Sequence, residues 1–261
     1  MNKDTERRET MRRRAEVVGL RVEFVAAVNG REMTAAEIEK CYDSAKRKRY
    51  FGRDMTIGEI GCLMSHRSIY ERIVAEKIPY AVILEDDVLF ESDIAEVLAS
   101  IPEAPIKWDV IRFLSHSKVY KRGFRRIIPL GDTRYLFARS PAAPGGAYGY
   151  FVSYHAAEEM LKHMQRNWVP VDVMLGRVWE TGLEMLLLVP PPLRHDASCG
   201  STIGGERFDK YVDQRSVARI LYAFTRAWFK LSENCGKRWI YYSSWFRDRK
   251  TTEAYAARCK R

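Results

Sequence analysis

A layered α/β fold is predicted by three features of this sequence. Segments with helical spacing of apolar residues alternate with short apolar runs of strand type through about residue 205. Proline, glycine and Asn-Gly signals separate these segments. The chain has 261 residues, 46% hydrophobic and 30% charged, enough to bury one sizeable core, and it contains no internal repeat or low-complexity tract.

The elements follow in order. TERRETMRRRAEVVG reads as a first helix, with Thr5 as N-cap and Gly19 as stop. RVEFVAAVNG follows as a strand closed by an Asn29-Gly30 turn. Thr34 caps AAEIEKCYDSAKRK as a second helix. From Ile57 to Lys77, Ile60, Leu63, Met64, Ile69, Ile73 and Val74 recur at near-helical spacing. Pro79 ends that element, and YAVIL (80–84) is a continuous apolar run of the kind found in buried parallel strands. SDIAEVLASI then reads as a helix and WDVIRFL as a strand. Residues 140–153 begin Pro- and Gly-rich and become a strand at Tyr148. Residues 155–165 and 171–181 read as helices, the latter after Pro170, and LEMLLLVPPPL as a strand stopped by three prolines.

HDASCGSTIGGERF marks a boundary between a main unit, 1–205, and a basic helical extension, 206–261. In the extension Val217, Ile220, Leu221, Phe224, Trp228 and Leu231 fall on one helical face. Arg215, Arg219, Arg226 and Lys230 flank them, and WIYYSSWF forms a second aromatic segment.

Charge is unevenly spread. The net value is +10, and residues 206–261 hold 14 Lys or Arg against 6 Asp or Glu. Such asymmetry points to an anionic surface as partner, either membrane or nucleic acid. No apolar run approaches the roughly 20 residues that span a bilayer, and MNKDTERRETMRRR lacks the apolar core of a secretory signal. The expected location is therefore cytoplasmic. The cysteines (Cys41, Cys62, Cys199, Cys235, Cys259) are scattered, with no CxxC spacing, and read as free thiols.

The chemistry-bearing stretch is Glu85-Asp86-Asp87, which follows YAVIL directly. Ligands of open α/β sheets bind outside the carboxyl ends of strands. Two carboxylates one residue apart can turn to the same side there and offer hard oxygens to Mg2+ or Mn2+, with substrate phosphates and water completing the shell. On spacing alone, a solvated turn is the alternative.

The blocks TERRETM, FVAAVNG, GEIGCLMSH, ILEDDV, GGAYGYFVS, PVDVML and VPPPL, spread over about residues 5–205, resemble glycosyltransferase family 25 in order and spacing. That family groups lipopolysaccharide and lipooligosaccharide glycosyltransferases with collagen galactosyltransferases. The resemblance implies a GT-A-like (Rossmann-like) mixed sheet flanked by helices. It also implies a UDP-sugar donor, commonly UDP-galactose, a glycan or glycolipid acceptor, an inverting displacement and a bound Mn2+ or Mg2+. Carried onto this chain, Asp87 would ligate the metal directly, Glu85 would contact the ribose or a metal-bound water, and Asp86 would stand between them.

A metal bridging a diphosphate stabilises it as a leaving group, and the acceptor hydroxyl needs a base. Asp172, at a helix start after Pro170, is the candidate base; the plainer role is an ordinary first-turn carboxylate. Gly145 and Gly146, ahead of Tyr148, could let the backbone approach sugar or phosphate, or form a simple turn. Ser65 and His66 are substrate-contact candidates, with packing or capping as the alternative. His195 and Asp196 stand where some GT-A enzymes place a late metal ligand; an ordinary loop histidine is the alternative. Arg7 and Arg8 could meet phosphate or nucleotide, or be solvated helix charge.

The sequence departs from the family pattern at its start. A short strand usually precedes the ERR block, and here only Met1 to Asp4 do, so that strand is expected to be absent or a stub, with donor binding weakened unless further residues precede Met1. The extension reads either as a solvated helical lid or as an interfacial helix that would place the protein at the inner face of the cytoplasmic membrane. Three other readings compete. A nucleic-acid-binding protein lacks a helix-turn-helix, zinc-finger or RNA-recognition pattern to accompany its charge, so no nucleic acid is expected. A two-metal phosphohydrolase lacks the His and Asp spacings it needs. A family member that keeps the fold without turnover is the third.

Overall fold

The computed structural model describes residues 2–114, 123–142, 145–196 and 216–259. A six-stranded mixed sheet forms its centre, built from β1 (Tyr80–Leu84), β3 (Val110–Arg112), β4 (Arg125–Pro129), β5 (Leu136–Arg139), β6 (Gly149–Ser153) and β7 (Met185–Val189). The strand order is β1-β6-β3-β7-β5-β4. β3 and β7 are parallel and the other pairings antiparallel. A separate antiparallel ribbon pairs β2 (Val88–Phe90) with β8 (Leu193–His195).

Alternation along the strands feeds two cores, one on each face. Val110, Tyr150 and Val152 pack with α2 (Ala35–Cys41), α4 (Ile57–Ala75), α6 (Tyr154–His163) and α7 (Val171–Gly176). Ile111 and Phe151 face the other way, onto Met11 of α1 (Asn2–Val17), Val88 of β2 and Ile94 and Val97 of α5 (Ile94–Ser100).

The expected α/β layering is present, with local corrections. YAVIL is a strand but not a buried parallel one: β1 lies at the sheet edge, antiparallel to β6, with Tyr80 45% exposed. Its run is unbroken because Ala81 and Ile83 meet one core while Val82 and Leu84 meet the other. RVEFVAAVNG forms no strand. No ladder pairs it among the described residues; Ser65 Oγ takes the Val28 N–H at 2.9 Å, and Gly30 enters a 3-10 turn against Gly61. The helix expected after Thr34 divides into α2 and α3 (Ser44–Phe51), because Asp43 accepts from Lys46 N–H at 2.9 Å and caps a new start. Residues 171–181 likewise divide at Arg177 into α7 and α8 (Val178–Thr181). Thr5 lies inside α1.

The extension is helical: α9 (Ser216–Ser243) and α10 (Trp245–Arg258). The boundary stretch beyond Asp196, Arg215, and the side chains of Val217, Arg219, Ile220 and Leu221 lie outside the described residues. Among the described side chains of α9, Phe229 is buried, among the rings of Tyr50, Phe51 and Trp168. α10 is tied to β4 and β5 by Asp248, which accepts from Nε of both Arg125 and Arg139 at 2.9 Å.

Candidate functional site at the carboxyl end of β1

Glu85 leaves β1 with its backbone N–H on Tyr148 O at 2.9 Å, so the pairing with the β6 segment continues one residue past Leu84. Asp86 and Asp87 form the turn into β2. The ribbon then brings in a segment distant in sequence. Val88 sits opposite His195, Asp196 N–H donates to Asp87 O at 2.7 Å, and His195 Nε2 lies 3.2 Å from Asp87 Oδ2.

Part of the repulsion within the triplet is offset by α1. Arg7 reaches Asp86 Oδ1 at 2.7 Å and Asp87 Oδ2 at 3.6 Å. Arg14 pairs with Asp196 at 2.5 Å and donates to Val88 O at 3.1 Å. Arg8, the other arginine singled out, instead stacks on Phe24 with its guanidinium 4.9 Å from the ring centre.

The compensation is incomplete. Asp87 is 7% exposed, and its Oδ1 is buried with no hydrogen-bond partner among the described residues. Burial, with the charges of Asp87, Asp172 and Asp86 added, pushes the Glu85 carboxyl up to about 7. A buried carboxylate oxygen with no donor among the described residues, beside a second carboxyl raised by burial and like charge, fits a hard divalent cation.

Behind Glu85 lies a buried polar set. Cys62, His66 and Glu85 each bring one ligand-type atom within 4.8 Å of the others. His66 Nδ1 is 2.7 Å from Tyr150 Oη, which is 2.5 Å from Tyr70 Oη. Burial pushes the His66 imidazole down to about 4 and the Cys62 thiol up to about 12. His66 is therefore a neutral side chain near Glu85, held by Tyr150. Ser65 does not reach the site; its hydroxyl donates to Gly61 O at 2.8 Å while holding Val28 N–H.

The opposite rim is the 145–148 segment. Gly146 has φ +92°, a conformation glycine adopts without strain. Its N–H donates to Asp172 Oδ2 at 3.0 Å, and its carbonyl accepts from Arg112. Asp172 Oδ1 also accepts from Val173 N–H at 2.8 Å, so the carboxylate is held from two sides at the start of α7. Arg112, at the end of β3, is 1% exposed; burial lowers its pKa and the Asp172 charge opposes that. Tyr148 is buried, its ring centre 6.0 Å from that of His195 and inclined at 60° to it.

The fold thus gathers Glu85, Asp86, Asp87, Gly146, Tyr148, Asp172 and His195 around the carboxyl ends of β1 and β3, and leaves Arg8 and Ser65 outside. The sequence reading missed Arg14, Arg112, Cys62 and Tyr150. An arginine inside the apolar strand WDVIRFL was a usable signal, since a buried guanidinium needs a partner. Cys62 and His66, four apart on α4, were another. Arg14 has none that separates it from its arginine neighbours. A surface cavity of about 240 Å3 lined by Pro105, Lys250, Thr251, Ala254, Tyr255 and Arg258 includes none of these residues.

A mixed α/β sheet with an acidic cluster at a strand's carboxyl end defines a class of protein suited to binding charged ligands there. Residues 1–175 match the profile of glycosyltransferase family 25 (LPS biosynthesis protein), and the chain belongs to that family. Similar proteins include a glycosyltransferase 25 family member of Aedes aegypti, 29% identical over 177 residues (64% of this chain, 28% of that protein). A family member from Drosophila pseudoobscura pseudoobscura is 30% identical over 182 residues (65% and 27%). Human procollagen galactosyltransferase 2 is 26% identical over 182 residues (65% and 28%). The chain spans under a third of the length of these relatives. Among the described residues no helix is long and apolar enough to cross a membrane.

Proposed function

We propose that this chain transfers a hexose, galactose first among candidates, from a UDP-sugar to a hydroxyl of a lipopolysaccharide, lipooligosaccharide or other glycan acceptor, with inversion at the anomeric carbon, on a GT-A-like sheet. The observation that carries this reading is the buried Asp87 oxygen, unpartnered among the described residues, beside the raised carboxyl of Glu85. Galactose as the donor sugar draws on the printed name of the procollagen galactosyltransferase relative.

Asp87 and Glu85 would hold Mn2+ or Mg2+, with His195 flanking Asp87. Such a cation, when bound, supplies positive charge against the departing diphosphate. Arg7 keeps Asp86 and Asp87 fixed in the turn. Gly146, held between Asp172 and Arg112, shapes the rim where the sugar is placed. Asp172 is the candidate base: half-buried and oriented by two backbone N–H groups, it takes the acceptor proton as the acceptor oxygen bonds to the anomeric carbon and UDP leaves.

The test is UDP release from a panel of UDP-sugars, with and without Mn2+, in the parent chain, Asp87→Ala and Asp172→Asn. Metal-dependent release that Asp87→Ala abolishes supports the site; an unchanged rate removes Asp87 as ligand. Asp172→Asn is expected to lower kcat by about 100- to 10,000-fold with donor binding retained. UDP binding without turnover in the parent chain would mark a family member that keeps its fold and has lost the reaction.

A further inference from the structure

An ordinary surface helix buries one apolar stripe and offers polar side chains to water. α9 and α10 depart from this. Phe229, Ser244 and Asp248 are buried, while Phe224, Trp228, Leu231, Trp239, Tyr242 and Phe246 are 54 to 72% exposed. These six recur at intervals of four, three, eight, three and four residues, which keeps them on one side of a helix. Helical hydrogen bonding continues across Ser244, whose N–H donates to Ile240 O and whose carbonyl accepts from Asp248 N–H. The stripe is therefore continuous over about 33 Å. A run of exposed aromatics of that length is more than scattered surface apolar residues account for.

The charge beside it is one-sided. Residues 222–259 hold eight Lys or Arg against three Asp or Glu. Asp248 is buried, Glu233 is paired with Lys230 and Lys237, and Glu253 is paired with Arg249. Arg238, Arg249 and Lys250 are exposed and flank the stripe, while Lys230 and Arg247, also exposed, lie toward the other side and pair with Glu233 and Glu184. Two copies of such a face would bring like charges together, which disfavours self-association through it. A surface that is anionic and apolar just beneath the charge complements it, and Trp and Tyr suit the depth of lipid headgroups.

We infer that the outer face of α9–α10 docks on anionic bilayers, with the helices in the headgroup plane. This goes beyond glycosyl transfer, and its readouts need no turnover. The experiment adds the full chain to phosphatidylcholine vesicles with and without phosphatidylglycerol, at low and raised salt, following co-sedimentation and quenching of tryptophan fluorescence by brominated lipid. Binding and quenching with anionic vesicles, both weakened by salt, are expected. The variant Phe224→Ser/Trp228→Ser/Trp239→Ser/Phe246→Ser changes only exposed side chains. With an unchanged thermal melt, it is expected to partition about a hundredfold more weakly or worse. Equal binding to neutral vesicles or undiminished binding of the variant overturns the inference. So does a solution dimer that shields these tryptophans without lipid, which would assign the face to a second copy.

Discussion

Replacing Glu85 with glutamine should stabilise the protein at alkaline pH and leave it unchanged near pH 4. The Glu85 carboxyl is raised from an ordinary 4.5 to about 7 by burial first and then by Asp87, Asp172 and Asp86, with Arg7 opposing. Between those values the folded protein holds a proton that the unfolded chain has released. Stability therefore falls as pH rises from about 4.5 to about 7, and the deficit is complete above it. At about 1.4 kcal/mol per tenfold change in proton affinity, the deficit is about 3 kcal/mol. Glutamine carries no charge to desolvate, so Glu85→Gln should gain about that amount at pH 8 and nothing near pH 4. Urea unfolding of both proteins across this range measures the difference directly. A difference that does not vary with pH would refute the reasoning, because the raised carboxyl would then not be a property of the folded state. The same variant should lose any metal-dependent UDP release, so the site would have traded stability for cation binding.

Asp248→Asn removes the carboxylate shared by Arg125 and Arg139, which is 5% exposed, and is expected to cost about 3–5 kcal/mol in urea unfolding at neutral pH. Burial works to raise the Asp248 carboxyl, but the hydrogen bonds and charges of Arg139 and Arg125 prevail and hold it below its ordinary value. Its contribution is thus present above that ordinary value and disappears as pH falls through the lowered one, so the gap to the variant should close in acid. Gly61→Ala would put a methyl group 2.7 Å from Val28 O and 3.0 Å from Gly30 N, both backbone atoms. A loss of about 1–3 kcal/mol is expected in the same assay, and an unchanged melting temperature would contradict the packing of residues 28–30 on α4.

Elements defined by local chemistry were legible in the sequence. Thr34 and Thr56 form capping boxes with Glu37 and Glu59, and α4 and α6 follow from apolar spacing and local capping. The order of blocks from TERRETM to VPPPL pointed to the family to which the profile match assigns the chain. RVEFVAAVNG has strand-like composition, yet it finds no ladder because Ser65 and Gly61 hold it against α4 instead. Strands as short as β2 and β8 carry too few residues for a periodic signal, and each exists only because the other lies opposite it.

Composition and periodicity act over a few residues at a time, and they sufficed to show that three carboxylates end a strand in an α/β layer protein. Tertiary structure decided what surrounds them. Arg7 and Arg14 come from α1, His195 from a ribbon over 100 residues downstream, and Asp172 and Arg112 from the two sides of the Gly146 turn. It also decided that Phe229 is buried in α9 while Trp228 beside it is left outside. A charge acts on whatever lies within a few ångströms, and that neighbourhood exists only once distant segments have packed together.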